Sequence, residues 1–133
     1  HRPPVEEHEG LRRYHAQRSA PPRYLPANLY ECIGRAMLMK IDQQQHRVLA
    51  MSIDGAHAYV LVELPDDRAA ITRIVGTWKQ AGSYAVRDVM PGRIWSELCD
   101  PIVIRDAAHR RKVLRYILDH ALTGAWTWSC MSG

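Results

Sequence analysis

Residues 47–64, RVLAMSIDGAHAYVLVEL, decide the fold. Two apolar runs flank Asp54-Gly55, and Asp-Gly in that setting signals a two-residue hairpin turn whose central residues need positive φ. On that register Ser52 faces His57, Ala50 faces Tyr59 and Val48 faces Leu61. Successive side chains of a strand point to opposite faces. His57, Tyr59, Leu61 and Glu63 therefore share one face, and Ala58, Val60, Val62 and Leu64 the other. The second face is wholly apolar and belongs in a core. The first sets an imidazole, a phenol and a carboxylate in a row, more polar chemistry than a structural strand needs.

Upstream, Leu29, Ile33, Ala36, Met37, Met39 and Ile41 recur at helical spacing and predict a helix over residues 27–43, with Gly34 inside it. Before it, residues 20–26 hold three prolines and can only connect. Residues 11–19 are read as an edge strand or an arm, and residues 1–10 as poorly ordered. Downstream, Asp67 suits the N-terminus of a second helix reaching about Val89, with Ile71, Val75 and Trp78 turned inward. Residues 93–95 and 101–104 are short strand candidates. Asp106 caps a last helix over residues 107–122, and AWTWS after it reads as an extended tail. Helices alternating with strands around one tight hairpin predict an α+β sandwich, an antiparallel sheet with helices packed on one face. Residues 1–26 are read as an arm and connector, residues 27–133 as the domain.

Bulk composition narrows the class. The chain has 133 residues, enough for one well-filled core. No apolar run approaches a membrane span, and the opening HRPPVEEHEG holds no secretory h-region. The cysteines, Cys32, Cys99 and Cys130, are odd in number and far apart. They suggest neither a zinc ribbon nor a disulfide framework, and a cytoplasmic protein with reduced thiols is expected. A net charge of +4 suits a polyanionic partner but is also ordinary for solubility.

On the last helix Val113, Leu114, Ile117, Leu118 and Ala121 make an apolar sector. His109, Tyr116 and His120 run along its border, the latter two one turn apart on the same face. Tyr and His commonly sit at core edges. If this helix covers the polar face of the hairpin, His57, Tyr59, Glu63, Tyr116 and His120 converge.

HAYVLVELPDD, IVGTWKQAGSYAVRD, PGRIW, IRDAAHRRKVLRYILDH and GAWTW together resemble the single-tyrosine HUH transposases, in particular the REP-associated tyrosine transposases. The resemblance spans residues 31–128 and implies a ferredoxin-like sandwich. It implies that His57 matches the first histidine of the His-hydrophobic-His signature, Tyr116 the nucleophile and His120 a helix-borne metal ligand. The second histidine is replaced by Tyr59, a poor ligand for Mg or Mn. The family chemistry uses a divalent cation as Lewis acid and a tyrosine that forms a covalent phosphotyrosine link to single-stranded DNA. The resemblance also implies a homodimer and a single-stranded or hairpin DNA partner. Three readings stay open: metal-dependent nicking and rejoining, a catalytically inactive hairpin-DNA-binding protein, and a ferredoxin-like binding module unrelated to nucleic acid.

Arg105, Arg110, Arg111, Lys112 and Arg115 crowd the last helix around Tyr116. Arg105, Arg111, Lys112 and Arg115 are candidate phosphate contacts, against an ordinary basic helix face. Lys79, beside Gln80 in the middle helix, is a further DNA candidate, against a solvated helix face. Trp95, Trp126 and Trp128 would stack on unpaired bases or fill core.

Overall fold

The computed structural model describes residues 11–17, 25–95 and 101–130. In chain order these form β1 (Leu11–Gln17), α1 (Tyr30–Gln43), β2 (Val48–Ile53), β3 (His57–Glu63), α2 (Arg68–Ala85), β4 (Ile102–Val103), α3 (Ala107–Asp119) and β5 (Trp126–Ser129). A 3-10 turn, Ala27–Leu29, leads into α1, and another, His120–Thr123, continues α3. The strands make one antiparallel sheet in the order β4-β1-β3-β2-β5. Its first four strands, with α1 and α2 as the two crossovers, are the ferredoxin-like arrangement expected from the sequence. No described helix is long and apolar enough to cross a membrane.

The alternation along β3 sorts the molecule into two cores. Ala58, Val60, Val62 and Leu64 point toward α1 and α2, where they meet Ile33, Met37, Ile41, Ile71, Val75 and Trp78. Tyr59 and Leu61 point the other way, to Ala50, Ile104, Val113 and Ile117. The second core exists because of topology. β4 lies at one sheet edge and β5 at the other, so the chain must cross between them. α1 and α2 pack together on one face, and α3 crosses on the opposite one. Its apolar sector ends early: Ala121 falls in the 3-10 turn, where the helical spacing no longer holds, and is exposed.

Several expectations are corrected. The hairpin turn is not centred on Asp54-Gly55, and positive φ among the described residues is confined to Gln45, Gly92 and Gly124. Instead the Asp54 side chain accepts from the backbone N–H of Ala56 (2.8 Å) and of His57 (2.6 Å), while its own N–H donates to the His57 carbonyl (3.0 Å). An aspartate that bonds its own backbone in this way moves the turn one residue on, to Gly55-Ala56. Ser52 therefore pairs with Tyr59 and Ile53 with Ala58, a shift of two that leaves every side chain on its expected face. A bulge at Leu49 reduces the shift to one at Val48, which pairs with Val62 instead of the expected Leu61.

The stretch expected as an edge strand or arm is an inner strand: β1 lies between β3 and β4. The extended tail is β5, paired along the free edge of β2. Residues 93–95 form no strand; Ile94 and Trp95 are apolar anchors of a loop, both buried in the first core. The glycine inside α1 also has a reason. A Cβ at Gly34 would overlap the Trp126 ring, which rests on the helix backbone there.

Candidate functional site

The face of β3 that α3 covers carries His57 and Tyr59. His57 is held at the turn by Asp54, whose carboxylate also lies 3.6 Å from the imidazole Nδ1. Tyr59, only 6% exposed, is the centre of a ring cluster. Its ring stacks on His57 with centroids 5.8 Å apart, meets Tyr116 edge-on at 5.6 Å and leans on His120 at 4.8 Å. Tyr116 and His120 meet edge-on at 4.8 Å. The spacing of four on a helix and of two on a strand thus brings both predicted pairs to one place.

α3 sets its two rings by local rules. Asp106 caps the helix, accepting from the His109 N–H at 2.7 Å. The helix then gives way to the 3-10 turn at His120, whose Nδ1 lies 2.8 Å from the Tyr116 carbonyl. A carbonyl only accepts, so Nδ1 carries the hydrogen and, in the neutral ring, Nε2 keeps the lone pair. Tyr116 is 47% exposed, a phenol at the rim and not in the core. His109, the third member of the border stripe, sits at the other end of α3, its Nδ1 accepting from the Arg105 N–H at 3.0 Å.

The donor set does not fit a hard divalent cation. Among the described residues no group of three His, Cys, Asp or Glu side chains is placed to hold a metal. The third position of the cluster is a phenol, and Mg or Mn favours carboxylate, carbonyl and water oxygens. Glu63 does not supply the missing ligand. It sits at the opposite end of β3, paired with Arg47 at 3.4 Å.

The basic residues divide. Arg105, Arg111, Lys112 and Arg115 are exposed on or beside α3, the helix that carries Tyr116. Lys79 is elsewhere. It lies on α2, across the sheet from Tyr116, and is only 8% exposed. Its expected solvated setting is corrected: it lines a 650 Å³ cavity with Gln80, Tyr84, Arg87 and Arg93. Of the tryptophans, Trp95 is core, and Trp126 packs at the edge of the first core with the Arg35 guanidinium 5.7 Å from its ring centroid.

Two features escaped sequence reasoning. Ser52, the strand partner of Tyr59, has a buried hydroxyl with no hydrogen-bond partner; a lone serine in VLAMSI was the signal. Arg47, just before β2, joins Arg110 and Arg111 of α3 in a groove, a juxtaposition of distant segments that no local pattern reveals.

No family model matches the chain, and a search of curated proteins finds no relative. Solved structures share the fold, among them the following two. A REP-associated tyrosine transposase bound to a REP hairpin superposes with a TM-score of 0.62 at 16% identity, covering 87% of this chain and 68% of that one. A putative transposase from Deinococcus radiodurans superposes with a TM-score of 0.60 at 13% identity, covering 82% of this chain and 88% of that one.

Proposed function

We propose that the protein is a transposase-like DNA-binding protein that takes single-stranded or hairpin DNA on the α3 side of its sheet, with metal-dependent catalysis weakened or lost. The observation that carries this reading is the ring cluster of His57, Tyr59, Tyr116 and His120 beneath a helix bearing Arg111, Lys112 and Arg115. Unpaired bases stack on exposed aromatic rings, and the cations neutralise phosphates. The hairpin held by the first similar transposase supports the substrate class. The reading includes a homodimer, which sedimentation equilibrium tests.

A second reading, nicking, is favoured by the exposure of Tyr116 beside His120. There the phenol oxygen bonds to phosphorus, the bond to the 3′ oxygen breaks, and that oxygen leaves with a proton. The His120 Nε2 lone pair is the acceptor for the phenol proton. Tyr59 offers this chemistry no comparable metal ligand.

A labelled hairpin with a single-stranded tail separates the readings. Salt-sensitive binding, weakened about tenfold or more in an Arg111→Gln/Arg115→Gln variant, is expected for loss of two phosphate contacts. A covalent adduct stable in detergent, formed with Mg or Mn and absent in Tyr116→Phe, would make the protein a nickase. Tyr59→His is expected to raise Mn affinity in a titration. Binding that ignores salt, or no binding, contradicts the proposal.

A further inference from the structure

The ring cluster sits at one end of α3, and a groove sits at the other, on the same side of the sheet. Arg47, Leu49, Glu63, Arg110, Arg111 and Leu114 line this groove, which has a volume of 440 Å³. Glu63 ends β3, whereas His57 begins it, so α3 runs antiparallel to β3 with Tyr116 over one end and Arg110 over the other. Resting on the DNA reading above, we propose that the strand passing Tyr116 crosses the outward face of α3, over Lys112 and Arg115, and seats its following backbone phosphates in this groove on the other flank.

Length, charge and shape agree. Arg111 precedes Tyr116 by five residues. Five residues are about 7.5 Å of helix axis and about 140° around it, so the path to the groove lies across the face of α3 that carries Lys112 and Arg115 and takes a few nucleotides of unpaired strand. Three guanidinium groups face one carboxylate, a net positive groove. The carboxylate does not cancel Arg47. Their 3.4 Å pair is solvent-exposed, with side chains 69% and 45% accessible, and such pairs are weak and exchangeable. Glu63 instead holds Arg47 over the groove until a phosphate, which fits the planar guanidinium fork, replaces it. Leu49, displaced by the bulge in β2, and Leu114 on α3 provide apolar walls for sugar or base. The groove therefore sets a minimum length of unpaired strand on one side of the phosphate at Tyr116.

The test uses the full chain and labelled hairpins whose single-stranded tails are lengthened one nucleotide at a time, first on the 5′ and then on the 3′ side. Fluorescence anisotropy at two salt concentrations should show affinity rising about tenfold on one side only, once the tail is a few nucleotides long and spans α3. An Arg47→Gln/Arg110→Gln variant should lose that step and flatten the log–log salt slope for long tails by about 1.4, while binding the shortest tail as the wild type does. Glu63→Gln should tighten long-tail binding about twofold, the loss of one weak competing pair. A length step that survives in the double arginine variant overturns the groove assignment while leaving the DNA reading intact. So does wild-type binding with no length step. Failure of the wild type to bind any of these hairpins overturns both.

Discussion

The two faces of the sheet share strands and differ in nearly everything else. Toward α1 and α2, the side chains of β2 and β3 meet a continuous apolar layer in which Ile33, Met37, Ile41, Trp78 and Trp95 are almost fully buried. Toward α3, a core of six buried residues, Tyr59 among them, is bordered by a second phenol, two imidazoles and a run of cations. One residue of offset along β3 takes Val60 to the first environment and Tyr59 to the second. Stability is concentrated on one side, which frees the other to expose polar rings.

The largest effects should separate the faces outright. Trp78→Ala removes a fully buried indole and its 2.9 Å bond to the Gln44 side chain, and should lower unfolding free energy by about 3–5 kcal/mol. Tyr116→Ala, at the rim, should change it by less than about 1 kcal/mol. Urea denaturation of both variants measures this, and equal losses would erase the distinction between the faces. Next comes Gly34→Ala. In an open helix this change stabilises by about 1 kcal/mol. Here the new methyl meets the Trp126 ring, so a loss of about 1–3 kcal/mol is expected. A gain in melting temperature would mean that Trp126 does not rest on α1.

Smaller effects sharpen the contrast. Ser52→Ala removes a buried hydroxyl that has no partner. It should leave stability unchanged or raise it by up to about 1 kcal/mol, and a clear loss would show that the hydroxyl is bonded. His46, between α1 and β2, has its pKa lowered from 6.5 by burial. The folded state then binds this proton less readily than the unfolded one. Its contribution is complete above about pH 6.5 and is lost as pH falls from there through the folded pKa. His46→Gln should flatten the acid limb of a plot of Tm against pH, slightly; a steeper limb would contradict the sign.

Much of this was legible in the sequence, for local reasons. The alternation in HAYVLVE fixed which side chains share a face, and the spacing of Tyr116 and His120 fixed theirs, because both follow from backbone geometry. What failed was set by particular competing contacts. Asp54 bonds its own backbone and so moves the turn that Asp-Gly implies. LRRYHAQ is too polar to announce an inner strand, yet β3 and β4 pair with it on both sides. Lys79 reads as a surface lysine, but its helical position turns it into a cavity beside Val75. The second face of the sheet became occupied only because β5 lies at the edge opposite β4, a consequence of topology that no window of sequence contains.

The most direct test is a titration of the protein with a DNA hairpin carrying only the shortest single-stranded tail, too short to reach Arg47, followed through the histidine ring signals in carbon–proton NMR spectra. His57 and His120, in the ring cluster, should shift and broaden together as DNA is added, while His46, beyond that cluster, stays in place. Shifts at His46 with His57 and His120 unmoved would place the DNA elsewhere and contradict the account.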